Sequence, residues 1–75
     1  MFEFAIYPNP ASGNTLQLEA DPQLIGEVVE IKDINGRLIS RTPITATNLT
    51  LPLTNMPAGV YLVKAGNLVK RLVKE

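Results

Sequence analysis

The sequence contains no cysteine, no histidine and no tryptophan. Without cysteine, no disulfide can cross-link the fold, and no thiolate can serve as a nucleophile or a metal ligand. Without histidine, the chain also lacks a frequent zinc ligand and the usual base that activates a catalytic serine. We therefore predict no catalytic residues, no metal site and no cofactor, and we expect that the protein is not an enzyme.

Long hydrophobic runs are also missing. No apolar stretch approaches the roughly 20 residues that a membrane-spanning helix requires, so we do not expect the chain to span a membrane. Glu3 lies where the first region of a signal peptide would be basic, which argues against a signal peptide. A nucleic-acid-binding domain would be net basic with interleaved aromatic residues, whereas this chain has a formal net charge of zero and few aromatic residues. Nucleic acid is therefore not an expected partner.

The charges that are present are unevenly distributed. Acidic residues dominate up to Asp33, and the basic residues that dominate after it are Arg37, Arg41, Lys64, Lys70, Arg71 and Lys74. In a small sheet protein, this division predicts cross-strand pairs between acidic and basic strands. The alternative is that the basic C-terminal segment is a docking surface. For that segment the sequence leaves both interpretations open.

The chain reads as a succession of short strands separated by turn residues, at a spacing of about 8 to 12 residues. The predicted strands are Phe2–Tyr7, Thr15–Glu19, Glu27–Ile34, Arg37–Thr42, Leu49–Leu53, Gly59–Ala65 and Leu68–Lys74. No segment has helical periodicity. The pattern predicts an all-β fold, either a sandwich of two sheets or a small open barrel, and two packed sheets suit a chain of 75 residues better.

Seventy-five residues make one small domain. Because the sequence enters a strand directly after Met1, we expect that residues 1–75 were cut from a longer protein.

The segment Gly59–Ala65 is the densest run of residues that favour strands. Tyr61 and Val63 fall on one face, and Val60 and Leu62 fall on the other. A strand that is apolar on both faces is typical of the middle of a sheet with cover on both sides. We therefore expect an internal strand with both faces buried, and Tyr61 in the core with its hydroxyl group hydrogen-bonded.

The turn sequences set further expectations. Asn35-Gly36 predicts a two-residue hairpin of type I′, and Gly66-Asn67 predicts a second hairpin. Pro52 has no N–H group to donate, so its strand should lie at an edge or contain a bulge. The proline-containing segment Tyr7–Asn14 should leave the sheet as a stiff surface turn in which Asn9 is a turn residue.

Four elements of the chain occur in an order that resembles one protein family. They are Tyr7-Pro8-Asn9-Pro10-Ala11, the segment Val29–Ile39 with Asp33 and Gly36, the segment Leu53–Val63 with Gly59 and Tyr61, and Lys70-Arg71-Leu72-Val73-Lys74. Together they resemble the type A C-terminal sorting domain of cargo proteins of the type IX secretion system in Bacteroidetes. The resemblance spans Ile6 to Lys74.

This resemblance implies an Ig-like sandwich of about seven strands. It also implies a secretion-targeting module at the C-terminal end of a covalently fused upstream cargo. The cargo would pass through the periplasm, and the type IX outer-membrane translocon would recognise the module and direct the cargo to the cell surface or the exterior. An associated surface peptidase would then remove the module.

The resemblance also implies roles for individual residues. The candidate translocon-recognition residues are Lys70, Arg71, Leu72, Val73 and Lys74. We expect the three basic residues to stand outward, while either the leucines or the valines of Leu68–Lys74 hold the strand to the sheet. The other motif residues are expected to be structural: Tyr7, Pro8, Asn9, Pro10, Asp33, Gly36, Gly59 and Tyr61. Among them, Asp33 should accept backbone hydrogen bonds at a turn, and Gly36 and Gly59 should be turn glycines.

A passive Ig-like or fibronectin-like spacer and a carbohydrate-binding module of a surface enzyme are alternatives. A glycan binder usually exposes aromatic side chains as a platform, and the aromatic residues available are Phe2, Phe4, Tyr7 and Tyr61. Most of them fall on faces that we expect to be buried. The sequence therefore favours the secretion-targeting module.

Overall fold

The structure is a computed structural model that describes residues 3–75 as two antiparallel sheets packed as a sandwich. The strands are β1 (Phe4–Tyr7), β2 (Thr15–Ala20), β3 (Val28–Asp33), β4 (Leu38–Pro43), β5 (Asn48–Pro52), β6 (Gly59–Ala65) and β7 (Leu68–Lys74). The predicted all-β sandwich is confirmed, and β2 to β7 begin and end within one residue of the predicted bounds. Phe2, predicted to belong to β1, lies outside the described residues. No helix in residues 3–75 is long and apolar enough to cross a membrane.

The two sheets have the strand orders β1-β2-β5 and β4-β3-β6-β7, and the predicted hairpin between β6 and β7 is present. The prediction that the strand with Pro52 lies at an edge is confirmed. The N–H group of Leu53 donates to the carbonyl oxygen of Asn14, which directly precedes β2, at 2.7 Å. The N–H group of Leu53 therefore points toward the β2 side of the strand. By alternation, Pro52 occupies a position where an N–H group would point away from the sheet, and proline is tolerated there.

The core forms from the inward-facing residues of both sheets. Leu16 and Leu18 of β2, and Val29 and Ile31 of β3, are buried as their alternation predicts. The buried cluster consists of Phe4, Ala11, Leu16, Leu18, Ala20, Leu24, Val29, Ile31, Ile44, Leu51, Leu53, Met56, Tyr61, Val63, Ala65 and Leu72. Most of its members come from strands, and those that do not are Ala11, Leu24, Ile44, Leu53 and Met56.

Ile44 lies between the fourth and fifth predicted strands, where the sequence predicted no strand, yet it is only 1% exposed. Its N–H group donates to the carbonyl oxygen of Glu27 at 2.9 Å. Its carbonyl oxygen accepts from the N–H group of Gly26 at 3.0 Å. These two bonds hold the loop against the residues that precede β3, and the isoleucine joins the core there.

The strand β6 is internal, between β3 and β7, as predicted. Tyr61 is buried, and its hydroxyl group donates to the carbonyl oxygen of Pro57 at 2.6 Å, which confirms its predicted place in the core. The expectation that both faces of β6 are covered is wrong, because Val60 and Leu62 are 40% and 38% exposed. The fold has two layers, so the outer face of each sheet meets solvent even where its residues are apolar.

The hairpin between β3 and β4 has a different turn from the predicted one. The N–H group of Gly36 donates to the carbonyl oxygen of Asp33 at 3.0 Å. The N–H group of Asp33 donates to the carbonyl oxygen of Arg37, also at 3.0 Å. Gly36 has a φ of 86°, while Asn35 keeps a negative φ. This geometry is a three-residue loop, a type I turn followed by a left-handed glycine, rather than a two-residue type I′ turn. The carboxylate of Asp33 accepts from the N–H groups of Asn35 and Arg37 at 2.9 Å each, as a turn aspartate should.

Replacing Tyr61 with alanine should lower the free energy of unfolding by about 3–5 kcal/mol, because the change removes a buried ring from a small core. The matched control is Val60→Ala on the exposed face of the same strand, which should cost less than about 1 kcal/mol. Urea unfolding measures both. Equal midpoints for the two variants would contradict the assignment of the buried face.

Replacing Gly36 with alanine should cost about 1–2 kcal/mol, because an L-residue resists the left-handed backbone conformation. A side chain at Gly36 would meet no atom of residues 3–75 within 4 Å, so the loss would come from the backbone alone. Gly13→Ala is the control, because Gly13 is equally open but does not have a positive φ. Equal urea midpoints for Gly36→Ala and Gly13→Ala would show that the left-handed turn is not required.

Candidate interaction site

The candidate recognition residues lie in β7, an edge strand of the four-stranded sheet. Leu72 is fully buried, so Lys70 and Lys74 lie on the same inner side of the strand. Arg71 and Val73 lie on the outer face. The expectation that all three basic residues stand outward is therefore wrong, because adjacent residues of a strand point to opposite faces.

Lys70 tolerates an inward position because β7 lies at the edge of its sheet. Its Nζ atom is 5.6 Å from the centroid of the Phe4 ring, which is a cation–π distance. The lysine remains partly exposed, so its aliphatic stem can cover apolar surface while the ammonium group reaches water. Since Phe4 belongs to β1, the charge of Lys70 lies where the edges of the two sheets meet.

Ion pairs separate the basic residues into two groups. Arg37 pairs with Asp33 at 3.4 Å, and Arg41 pairs across the β3–β4 ladder with Glu30 at 3.8 Å. Lys32 also lies 3.7 Å from Glu30. In the described part of the chain, no ion pair involves Lys70, Arg71 or Lys74. Charge pairing therefore accounts for the arginines near β3 and β4, but not for the basic residues of β7.

Residues 9–11, which we call the strap, hold the outer edge of β7. The side-chain Nδ2 atom of Asn9 donates to the carbonyl oxygen of Arg71 at 2.9 Å. The Oδ1 atom of Asn9 accepts from the N–H group of Val73 at 3.0 Å. One side chain thus makes the donor and acceptor contacts that a residue of a neighbouring strand would make. The predicted role of Asn9 as a turn residue is therefore incomplete.

Ala11 continues the strap in the same direction. Its N–H group donates to the carbonyl oxygen of Val73 at 2.8 Å, and its carbonyl oxygen accepts from the N–H group of Glu75 at 2.8 Å. Ala11 is fully buried and forms a parallel bridge with Lys74. The C-terminal half of the β7 edge is therefore covered by residues from the beginning of the chain.

The prolines on either side of Asn9 offer the signal that could have indicated this contact. Pro8 and Pro10 are exposed and have no N–H group, so Asn9 supplies the donors of this short segment. An amide side chain between two such residues is well suited to bond a nearby strand edge. Tyr7, which precedes them, ends β1 and pairs with Gln17 of β2.

The remaining motif residues divide between two places. Gly59 lies opposite Lys74, and Tyr61 lies opposite Leu72, in the ladder between β6 and β7. Asp33 and Gly36 lie in the hairpin between β3 and β4, on the other side of the same sheet. The structure therefore brings Asn9, Gly59 and Tyr61 to the candidate recognition strand and leaves the hairpin residues away from it.

An open groove of about 540 Å³ runs between the edges of β1 and β7. Its lining consists of Ala5, Ile6, Asn9, Pro10, Lys70, Arg71 and Val73. Two of these residues are cationic and none is acidic. The groove is therefore suited to a narrow, extended ligand that carries negative charge.

The aromatic residues do not form a platform in the described range. Phe4 and Tyr61 are buried, whereas Tyr7 is 46% exposed at the end of β1. A single exposed ring gives a flat sugar little surface to stack on. The geometry therefore offers little support for a carbohydrate-binding module.

Comparison with known proteins identifies a family for almost the whole chain. The profile of the family described as the secretion system C-terminal sorting domain matches residues 5–75. No curated protein and no solved structure matches the chain.

Replacing Asn9 with alanine should accelerate hydrogen exchange of the Val73 amide, because the change removes the acceptor of its N–H group. The loss of two exposed hydrogen bonds should lower the free energy of unfolding by about 1–2 kcal/mol. Asn14→Ala is the control, since that side chain forms no hydrogen bond with residues 3–75. An unchanged exchange rate of the Val73 amide in the Asn9 variant would contradict the hydrogen bond between the strap and β7.

Proposed function

The chain belongs to the family of secretion system C-terminal sorting domains, and on that premise we propose that the type IX outer-membrane translocon recognises it through β7. Membership of this family implies a sorting signal of type IX secretion that is fused to an upstream cargo. It also implies export of that cargo to the cell surface or the exterior. The translocon as the receptor, and β7 as the surface that it reads, are the proposed part.

The observation that carries this proposal is the unpaired charge of β7. Lys70, Arg71 and Lys74 form no ion pair within residues 3–75, and neither does Lys64 of β6, whereas Lys32, Arg37 and Arg41 each pair with an acidic residue. Exposed charges contribute about 0–1 kcal/mol to folding even when they are paired. The three cations therefore contribute little to stability. Lys70 and Arg71 line the open groove and are available to a partner there, whereas the Nζ atom of Lys74 lies outside the groove lining and donates to the backbone oxygen of Glu75 at 2.9 Å.

The proposed route follows from the same role. The fused cargo passes through the periplasm, the translocon binds the folded module, and a surface peptidase separates module from cargo afterwards. The domain acts in this route as a ligand and performs no reaction. The spacer alternative leaves unexplained why a groove with two cations adjoins the C-terminal strand.

Replacing Lys70, Arg71 and Lys74 together with glutamine should reduce export of a fused reporter while changing the free energy of unfolding by about 1 kcal/mol or less. The experiment fuses the domain to a periplasm-directed fluorescent protein in a host with a type IX system, and measures surface fluorescence. Thermal unfolding of the purified variants shows whether the fold is preserved.

The matched control replaces Lys32, Arg37 and Arg41 with glutamine, which removes the same formal charge from the opposite side of the same sheet. Recognition through β7 would be supported if the control fusion reaches the surface and the fusion with the β7 variant remains in the periplasm. Equal export of both variants would show that the basic residues of β7 are merely solvated. Retention of the wild-type fusion in the periplasm would contradict the sorting function itself.

A further inference from the structure

The outer edge of β7 is covered along only part of its length. The strap bonds the carbonyl oxygen of Arg71 and both backbone groups of Val73. By alternation, the N–H and C=O groups of Val69 and the N–H group of Arg71 point in the same direction. Within the range 3–75, no residue forms a hydrogen bond with these three groups. The stretch from 69 to 71 is therefore an open strand edge beside a covered one.

Two of the three other edge strands of the sandwich, β4 and β5, are protected by proline, and the third, β1, borders the same groove as β7. Pro43 is the last residue of β4, and Pro52 is the last residue of β5. Each of these strands has a neighbouring strand on one side only. The backbone of Ile44 bonds toward β3, so the position of Pro43 is one from which an N–H group would point outward. Proline at such a position prevents a further strand from pairing. The strand β7 contains no proline.

Lys70 gives the open edge a chemical preference. Its side chain lies on the inner side of an edge strand, so a strand added to β7 would cover the ammonium group. Burial of an unpaired ammonium group is unfavourable, and inward-pointing charges of this kind discourage indiscriminate strand addition. A carboxylate on the incoming strand would pair with Lys70 and remove that penalty. The described lining of the groove supplies no such acid.

We propose that β7 binds its partner by strand addition, in which an extended segment of a partner protein pairs with residues 69–71 and places a carboxylate against Lys70. This inference rests on the proposed function, because it assigns a binding mode to recognition of the same strand. A second copy of the chain fits less well. Antiparallel pairing of two β7 edges about Lys70 would bring two ammonium groups together, which is unfavourable.

The first test uses capped peptides as probes: Thr-Val-Glu-Val-Thr, and the same peptide with glutamine or lysine at its centre. In an NMR titration, the glutamate peptide should shift the Val69 and Arg71 amides and slow their hydrogen exchange. It should bind roughly fivefold tighter than the glutamine peptide, since one partly exposed ion pair corresponds to about that factor. The lysine peptide should bind most weakly. Equal affinity of the three peptides, or protection at another edge, would overturn the proposal.

Three variants locate the binding edge. Val69→Pro removes an outward N–H group and leaves the β6–β7 ladder intact, so it should weaken peptide binding by about tenfold or more. Arg41→Pro makes the same change at an outward position of the β4 edge and should bind the peptide as the wild type does. Lys70→Gln should bind all three peptides with similar affinity, and it tests the charge preference even if Val69→Pro proves unstable. Wild-type affinity in a folded Val69→Pro variant, or retained preference in Lys70→Gln, would overturn the proposal.

Export of the fused reporter separates this inference from the sorting function. Surface delivery of the wild type and Arg41→Pro, with retention of a folded Val69→Pro variant, would support strand addition. Surface delivery of Val69→Pro as well would overturn strand addition and leave the sorting function intact. Retention of the wild type would contradict the sorting function, and the peptide titration would then decide alone whether the edge accepts an acidic strand.

Discussion

One apolar layer between two short sheets holds this domain together. The chain has no cysteine, so burial of alternate side chains must supply most of the stability. A shift of one residue in any strand would turn its apolar side chains toward solvent, and each register is therefore strongly constrained. The same constraint orients the charges. The register that buries Leu72 also places Lys70 at the inner border of the sandwich and Arg71 on its outer face.

The strap joins the two ends of the chain. Asn9 bonds residues that lie 62 and 64 positions further along, and Ala11 extends the contact to Glu75. Contacts between such distant segments form only when both sheets have assembled. The arrangement of covered and open edge on β7 is therefore a property of the folded domain. A receptor that reads this edge would distinguish a folded module from an unfolded chain.

Stability and recognition place different demands on the four-stranded sheet. Near β4, the arginines pair with acidic residues and Pro43 closes the edge, so this side is well protected against association. At β7, Lys70 and Arg71 form no ion pair within residues 3–75, and part of the edge stays open. Such a departure from ordinary edge protection is costly in aggregation risk, and it is expected where an edge has a binding role.

Alternation and turn residues are local signals, so the strands, the positions of the turns and most of the core could be predicted from the sequence, although the type of the β3–β4 turn could not. The internal position of β6, the burial of Tyr61 and the edge position of Pro52 were also predicted correctly, whereas the predicted cover on the second face of β6 was not. The alternation in β7 allowed either Leu72 or Val73 to be the buried residue. Leu72 is buried because the other sheet packs against its face of the strand, which no local pattern could indicate. The partners of Asn9 and the burial of Ile44 were likewise decided by tertiary structure. Contacts between segments far apart in the chain leave no periodic pattern within either segment.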